Sequence, residues 1–199
     1  MASIINKKAP TVSAPAVMPD GSTKDLSLED YAGQYVAVVF YPKDFTFVCP
    51  SELIALDHKV DELAKRNCVV LGVSMDDAET HAKWRATKVE DGGIGELRYP
   101  LVADNAKAFS EAFDVIHEDS GLSYRGTFLI DKAGVVQAAV HNNLPLGRNM
   151  DELVRTVDAL QFHEENGEVC PANWTPGKAG MKPTAEGVAT YLKEHAATL

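Results

Sequence analysis

The sequence predicts an α/β fold in which helices flank a central mixed β-sheet, with an N-terminal hairpin and a C-terminal arm. Two continuous apolar runs, residues 34–41 and 69–75, indicate buried strands, and each is followed by a helical pattern. A hairpin signal at residues 131–134 then indicates antiparallel strands. Strand–helix alternation followed by a hairpin is typical of a mixed sheet. With 199 residues, 45% of them hydrophobic, the chain can bury one sizeable core.

The first half of the chain begins with the hairpin. Residues 12–17 and 24–28 flank the turn Asp20-Gly21 and predict two short antiparallel strands. After the strand at 34–41, a helix is expected from Pro50 to about residue 66. Its apolar residues recur at spacings of three and four, as in Leu53, Leu56, Val60 and Leu63.

The second half continues the alternation of strands and helices. Asp76 and Glu79 form a capping box that predicts a helix through residue 88. Later elements are a short helix from Asp104, strands at 126–130 and 135–140, a helix capped by Asn149 and a last helix at 184–197. We place the domain boundary after residue 162, so that residues 1–162 form the sheet domain. Residues 163–199, where glycine and proline become frequent, form the arm.

Net charge and hydropathy restrict the possible partners. Lys and Arg number 19 against 29 Asp and Glu, so the formal charge is −10 and the pI is near 5.0. A chain this acidic, without a run of basic residues, is a poor candidate for binding nucleic acid or an anionic membrane. The longest apolar run, residues 36–41, is too short to span a bilayer, and the first residues do not form a signal peptide. We therefore expect a cytoplasmic protein.

The cysteines and histidines predict neither a metal nor a cofactor. The three cysteines, Cys49, Cys68 and Cys170, form no C-x-x-C pair, which argues against a disulfide framework, a dithiol motif and a zinc ribbon. The six histidines show no ligand spacing, and no G-x-G-x-x-G follows a strand. The cysteines are therefore either reactive thiols or buried core residues. Because no cofactor site is predicted, the electrons for any redox reaction have to come from another protein.

Cys49 is the strongest candidate for a reactive thiol. It follows a predicted buried strand and lies directly before a helix that begins with Pro50. Unpaired N–H groups and the positive end of the helix dipole favour the thiolate at such a position. Thr46 offers a hydroxyl to the thiolate or to a polar substrate atom, and Pro42 shields the sulfur from water. The alternative, from position alone, is an inert buried cysteine.

Four sequence blocks resemble one known family. Residues 40–52, FYPKDFTFVCPSE, resemble the P-x-x-x-T-x-x-C signature of the peroxiredoxins. The trailing CPSE resembles the typical two-cysteine subfamily, which includes alkyl hydroperoxide reductase C and the thiol-specific antioxidant proteins. Three further blocks match in the same order, namely GVS with WR within 72–85, YRGTFLID at 124–131 and GEVCPANW at 167–174. The resemblance covers essentially the whole chain.

The resemblance implies a thioredoxin-like fold and gives each motif residue a role. Cys49 is then the peroxidatic cysteine, whose thiolate attacks the O–O bond and becomes a sulfenic acid. Thr46 binds the peroxide oxygens, and Pro42 screens the sulfenate from water. Arg125 holds the thiolate and stabilises charge on the leaving oxygen, although from the residues alone it would be a surface salt bridge. Glu52 orients the arginines, and the simpler alternative is that it binds backbone amides of its own helix.

The resemblance also implies that Cys170 is the resolving cysteine and acts on the partner subunit. The protein is then a homodimer with exchanged arms, and usually a decamer built as a ring of five dimers. Local unfolding around Cys49 must accompany catalysis, because the two sulfurs cannot meet otherwise. The alternative for Cys170 is a bystander on a disordered tail. Cys68, at the head of a strand, is expected to be a core residue without a catalytic role.

The function that follows is thiol-dependent reduction of hydrogen peroxide and organic hydroperoxides, with thioredoxin as the expected reductant. Alternatives are recycling by a dedicated flavoprotein disulfide reductase, a redox-sensing or chaperone assembly, and a one-cysteine mechanism in which Cys170 is dispensable. Residues 92–95, GGIG, resemble the G-G-L-G loop of overoxidation-sensitive relatives, but Tyr191-Leu192 stands where those relatives have Tyr-Phe. We therefore predict intermediate sensitivity to overoxidation.

Overall fold

The structure, a computed structural model, describes residues 3–199 and contains a seven-stranded mixed sheet. Its strands are β1 (Ser13–Val17), β2 (Thr23–Ser27), β3 (Tyr35–Phe40), β4 (Cys68–Ser74), β5 (Leu101–Ala103), β6 (Arg125–Ile130) and β7 (Val136–Asn142), in the order β2-β1-β5-β4-β3-β6-β7. β4 pairs in parallel with β3 and β5, and the other neighbours are antiparallel. The predicted mixed sheet and N-terminal hairpin are confirmed.

β3 lies in the interior of the sheet, and all six of its residues are buried. This explains its continuous apolar sequence, since a strand with neighbours on both edges and covered faces has no solvent side. The ring of Phe40, its last residue, packs against Phe113 and Phe128, with centroids 5.4 and 5.7 Å away. This core fixes the carboxyl end of β3, where loops of parallel sheets commonly build functional sites.

β5 is the strand that the sequence does not reveal. Its three residues are too few to show an alternating or continuous apolar pattern. It nevertheless joins the two parts of the sheet, because it pairs in parallel with β4 and antiparallel with β1. The N-terminal hairpin is therefore a continuous part of the sheet.

The helices are α1 (Cys49–Asp57), α2 (Val60–Ala64), α3 (Ala78–Ala86), α4 (Ala108–Ala112), α5 (Met150–Asn166) and α6 (Ala185–His195). The prediction of one helix from Pro50 to residue 66 is wrong, because α1 and α2 are separate. At the break the Lys59 N–H donates to the Leu56 carbonyl at 2.9 Å, a tight turn of the 3₁₀ type. The Arg98 guanidinium also donates to the Asp57 carbonyl at the end of α1.

The capping box predicted for α3 is displaced by one residue. Asp77 rather than Asp76 is the N-cap, and its carboxylate accepts a hydrogen bond from the Thr80 N–H at 2.8 Å. Asp76 instead accepts from the Asp44 N–H at 2.9 Å and from the Ser74 hydroxyl at 2.7 Å. Asp76 therefore fixes the loop that follows β3.

The chain divides into two compact units, one ending at Met150 and the other running from Asp151 to Leu199. In the second unit the segment between α5 and α6 is held by an antiparallel bridge between Val169 and Met181. The predicted boundary after residue 162 falls inside α5, and the division into residues 1–162 and 163–199 stays a prediction. Within residues 3–199, no helix is long and apolar enough to cross a membrane.

Candidate active site

Cys49 is the first residue of α1, and its side chain is completely buried. It lies beyond the carboxyl end of β3, at the end of the loop over residues 41–48. Pro50 follows in the first turn, where its missing N–H costs no helical hydrogen bond. The sulfur therefore lies at a helix N-terminus, where unpaired N–H groups favour a negative charge.

Arg125, the first residue of β6, brings a cation to this sulfur. Its Nη1 donates to Cys49 Sγ at 3.4 Å, and its Nε donates to the Leu144 carbonyl at 2.7 Å, which fixes the guanidinium. The side chain is only 4% exposed, so it does not form the surface salt bridge considered as an alternative. A buried guanidinium on a sulfur stabilises the thiolate form.

The Glu52 carboxylate binds two arginines, Arg125 and Arg148. It accepts from Arg125 Nη1 at 2.6 Å and from the Arg148 backbone N–H, Nε and Nη2 at 2.8, 2.9 and 3.1 Å. The structure thus favours the role of orienting arginines over that of binding amides of the same helix. Burial disfavours the ionised form of Glu52, but the hydrogen bonds and charge of Arg148, with the charge of Arg125, outweigh it and hold the pKa of Glu52 below its ordinary value.

Arg148 is a site residue that the sequence analysis missed. Besides Glu52, it binds the Gly126 carbonyl at 2.8 Å and the Thr127 hydroxyl at 3.1 Å, both on β6. It is separated from Glu52 by 96 positions in the chain. The available signal is its place in a short loop between β7 and α5, which alone does not distinguish it from a surface arginine.

Thr46 and Pro42 lie in the loop that leads to Cys49. The Thr46 hydroxyl donates to the Lys43 carbonyl at 2.8 Å, so its oxygen keeps lone pairs that can accept from a substrate O–H. Pro42 is buried at the start of the loop, directly after β3. Both residues are therefore on the segment where the sequence places them.

A buried polar network fixes the same loop, and the sequence analysis missed it as well. Asp44 accepts from the Tyr41 hydroxyl at 2.8 Å, and its other oxygen lies 2.7 Å from His81 Nδ1. His81 Nε2 donates to the Val102 carbonyl at 3.2 Å. Burial raises the pKa of Asp44 although the hydrogen bond and charge of His81 oppose the shift. The network ties the loop to α3 and β5 without any solvent contact, since the side chains of Asp44 and His81 are 0% exposed.

Cys170 lies in the second unit, in the segment between α5 and α6, and is half-buried. Its S–H donates to the Ala159 carbonyl on α5 at 3.4 Å. Burial raises the pKa of the Cys170 thiol, and the positive charge of Arg155 opposes this only in part. The segment around it is ordered by the bridge from Val169 to Met181, so Cys170 is not on a structureless tail.

The third cysteine, Cys68, lies in the sheet, away from any helix N-terminus. Cys68 is buried at the start of β4, as the sequence predicts, and burial raises its pKa to about 12. In the part of the chain that the structure describes, no group of three or more His, Cys, Asp or Glu side chains could hold a metal ion.

The glycine-rich loop over residues 92–95 packs beside α3. Trp84 Nε1 donates to the Gly92 carbonyl at 2.9 Å, and a Cβ on Gly93 would collide with the Thr87 carbonyl. In the second unit, Leu192 of α6 is 44% exposed. The predicted intermediate sensitivity to overoxidation is not tested by these positions and stays a prediction.

The arrangement around Cys49 suits nucleophilic attack on a polarised, neutral substrate. The Cys49 sulfur lies at a helix N-terminus, and the buried Arg125 guanidinium can stabilise negative charge on an oxygen that leaves. Thr46, three positions before Cys49 in the chain, has a hydroxyl oxygen that can orient an O–H group. This sulfur chemistry on a mixed α/β sheet defines the class of thiol-dependent peroxidases.

Comparison with known proteins supports the same class. Residues 5–139 match the AhpC/TSA family, and residues 159–194 match the C-terminal domain of 1-Cys peroxiredoxin. Alkyl hydroperoxide reductase C of Helicobacter pylori is 48% identical over 98% of this chain and 100% of its own length. The reduced 2-Cys peroxiredoxin of Plasmodium vivax is 46% identical, covers 96% of this chain and 100% of its own, and superposes with a TM-score of 0.94. Thioredoxin peroxidase I of Plasmodium yoelii is 45% identical over 87% of this chain and 99% of its own, with a TM-score of 0.77.

The chain therefore belongs to the AhpC/TSA family of peroxiredoxins. The predicted thioredoxin-like fold and the predicted family are confirmed by these relatives, and so is the enzyme class of thiol-dependent peroxidase.

Proposed function

We propose that Cys49 reduces hydrogen peroxide and small organic hydroperoxides by direct attack on the O–O bond. The thiolate sulfur bonds to one peroxide oxygen, the O–O bond breaks, and the other oxygen takes up a proton and leaves as water or alcohol. Cys49 is oxidised by two electrons to sulfenic acid. The observation that carries this proposal is the hydrogen bond from buried Arg125 to the Cys49 sulfur at 3.4 Å.

The neighbouring residues bind the substrate, exclude water and position Arg125. Thr46 accepts from the hydroperoxide O–H, because its own hydroxyl proton is directed to the Lys43 carbonyl. Pro42 keeps water from the sulfenic acid. Glu52 and Arg148 act as positioning residues, since Glu52 fixes Arg125 through a bond of 2.6 Å and is itself held by Arg148.

Cys170 of the partner subunit then resolves the sulfenic acid. Its sulfur attacks Cys49, an S–S bond forms, the S–O bond breaks, and water leaves. We infer a homodimer that assembles into a decamer. Support comes from β7, an edge strand whose Val140 is 48% exposed, because an exposed strand edge can pair with a strand of another chain. Cys49 is fully buried, so its first helical turn must open before the two sulfurs bond.

The disulfide is reduced by an external dithiol protein, which supplies two electrons and two protons. We propose thioredoxin for this step and a cytoplasmic location for the cycle. The name of the Plasmodium yoelii relative, thioredoxin peroxidase I, supports thioredoxin. The alternative reductant is a dedicated flavoprotein disulfide reductase. Comparing peroxide turnover with each reductant at equal concentration decides between them.

The central experiment adds one equivalent of peroxide to the reduced protein and follows it by rapid quench, non-reducing gel and intact mass. Wild type should form a covalent dimer, which is absent from Cys49→Ser and from Cys170→Ser. Cys170→Ser should instead gain one oxygen on Cys49. Cys68→Ser is the matched control and should dimerise like wild type.

Two results would contradict parts of the proposal. A Cys49 thiol that stays unmodified would disprove the peroxidase role of this residue. Full thioredoxin-coupled turnover in Cys170→Ser would instead establish a one-cysteine mechanism and remove Cys170 from the cycle.

A further inference from the structure

α1 is held at its two ends by two separate groups of residues. Its first turn contains Cys49 and Glu52 and is bound by the arginines of the active site. Its second half is bound by two consecutive residues that precede β5. The Tyr99 hydroxyl donates to the Leu53 carbonyl at 2.8 Å, and Arg98 binds the far end of the helix.

Arg98 makes an extended set of contacts there. Its backbone N–H donates to one Asp57 carboxylate oxygen at 2.7 Å, and its Nε donates to the other at 3.1 Å. Its guanidinium also donates to the Asp57 carbonyl and, at 2.8 Å, to Asp61 on α2. Asp57 is mostly buried, with 17% of its side chain exposed, whereas the Arg98 side chain is 44% exposed.

Tyr99 is anchored on the sheet. Its side chain is almost completely buried, and a Cβ on Gly72 of β4 would lie 3.2 Å from the Tyr99 ring. The backbone on both sides is fixed by Arg85, which donates to the Tyr99 and Leu97 carbonyls at 3.4 and 2.8 Å. The Tyr99 hydroxyl is therefore a fixed point against which α1 is held.

The boundary between the two groups falls between Glu52 and Leu53. A helical stub of the five residues from Leu53 to Asp57 would not be stable as an isolated helix, because nucleation makes such short helices unfavourable in water. If the first turn unwinds to release Cys49, the remaining residues need outside contacts to stay helical. Tyr99 and Arg98 supply polar contacts of that kind, in addition to the buried side chains of Leu53 and Leu56.

We propose that Arg98 and Tyr99 form a clamp that stops the unwinding of α1 at Leu53 when Cys49 leaves its pocket. This inference rests on the proposed function, in which that opening precedes the disulfide. By confining the opening to residues 49–52, the clamp limits the open population. It thereby sets how the sulfenic acid divides between disulfide and further oxidation by peroxide to sulfinic acid.

The test compares Tyr99→Phe and Arg98→Met with wild type by hydrogen–deuterium exchange of α1 in the reduced and the disulfide forms. In wild type, the amides of residues 53–56, whose helical acceptors are the carbonyls of residues 49–52, should lose protection on disulfide formation. The amides of residues 57 and 58 should keep it, because they bind the carbonyls of Leu53 and Ile54. In the variants, the loss should extend to residues 57 and 58 in the disulfide form only. Tyr31→Phe and Lys88→Met are matched controls, a partly buried tyrosine and an exposed ion pair away from α1.

The rates give a second readout. The variants should form the disulfide about three- to tenfold faster, because openings that extend into residues 53–57 then add to the open population. The peroxide concentration that converts half of Cys49 to sulfinic acid should rise by the same factor. The rate of Cys49 oxidation to the sulfenic acid should be unchanged. A general destabilisation of the active site would change this rate as well.

The outcomes separate the clamp from the proposed function. If wild type forms no disulfide, the proposed function fails and the clamp has no role. If wild type forms the disulfide but loses protection along all of α1, the clamp is disproved while the function stands. The clamp is also disproved if the variants match wild type in both readouts. It is disproved as well if the variants lose protection equally in the reduced form, because Arg98 and Tyr99 would then stabilise α1 without a specific role in opening.

Discussion

Cys49 and Cys170 have the same side chain in opposite surroundings. The Cys49 sulfur is fully buried at a helix N-terminus and accepts a hydrogen bond from Arg125. The Cys170 sulfur is half-buried in an irregular segment and donates its own S–H to the Ala159 carbonyl. The first sulfur has a cation directed at it, whereas burial raises the pKa of the second. The surroundings therefore support the proposed order, in which Cys49 reacts first and Cys170 second.

Burial alone does not produce this difference. Cys68 is 3% exposed, almost as little as Cys49, yet it lies at the head of a strand and burial raises its pKa to about 12. What distinguishes Cys49 from Cys68 is the directed cation and the helix N-terminus. The comparison can be tested by removing each of these contributions in turn.

Removing the carboxylate that joins the arginines should have the largest effect. Glu52→Gln leaves Arg125 and Arg148 buried without their counter-charge, so the free energy of unfolding at neutral pH should fall by about 3 kcal/mol or more. Urea denaturation of the reduced protein measures this loss. Glu152→Gln is the control, because its ion pair with Arg155 is exposed and should contribute less than about 1 kcal/mol.

The same variant should depend on pH in a defined direction. Because the pKa of Glu52 is held below its ordinary value of 4.5, its ionised form stabilises the folded state above that value. The contribution is lost as the pH falls through the lowered pKa. The gap between wild type and Glu52→Gln should therefore narrow in acid, and a gap of constant size would show that the charge of Glu52 is not responsible.

Arg125→Met removes the cation that distinguishes Cys49. We expect the rate constant for Cys49 oxidation by peroxide to fall about 10²- to 10³-fold, the usual effect of losing one donor to developing charge. Rapid quench with intact mass measures the rate. Alkylation of Cys170 should not change, and Arg66→Met, which removes an arginine bound to α2, should oxidise like wild type. Wild-type oxidation in Arg125→Met would remove the guanidinium from the mechanism.

Raising the pH should accelerate the step in which Cys170 attacks the sulfenic acid. Burial raises the pKa of Cys170, so its thiolate fraction is small at neutral pH and grows as the pH rises. Disulfide formation after a single equivalent of peroxide should accelerate by up to about tenfold per pH unit, since the thiolate is the attacking form. Arg155→Met should slow this step further at neutral pH and leave the oxidation of Cys49 unchanged. A disulfide step that is independent of pH would show that ionisation of Cys170 does not limit it.

Cys68→Ala should have the smallest effect. Neither oxidation of Cys49 nor disulfide formation should change, and stability should fall by about 1 kcal/mol from the lost buried atoms. A slower disulfide step in this variant would mean that core packing under β4, rather than the local surroundings, distinguishes the two reactive cysteines.

The sequence predicts those parts of the fold that depend on local pattern. The buried run of β3 and the hairpin turn are visible because they need no information from distant residues. α1 and α2 were predicted as one helix because the leucine spacing continues through the break. The contact from Arg98 to Asp57 at that break comes from 41 positions away, and no local pattern reveals it.

The same limit applies to the site. The motif around Cys49 locates the sulfur, Thr46 and Pro42 because they lie within eight positions of one another. Arg148 and His81 were missed, since each reaches the site through the folding of a different element. Pairing a buried carboxylate with a distant cation needs the three-dimensional arrangement, which a single sequence does not contain.

The two tryptophans of the chain give each reactive region its own optical reporter. Trp84 is fully buried and packs on Phe45 of the active-site loop at 5.7 Å, whereas Trp174 follows Cys170 and packs on Phe162 at 4.9 Å. Opening of the loop should change the emission of Trp84 alone, and rearrangement around Cys170 that of Trp174. With one tryptophan replaced by phenylalanine at a time, fluorescence can time the two halves of the cycle without any added label.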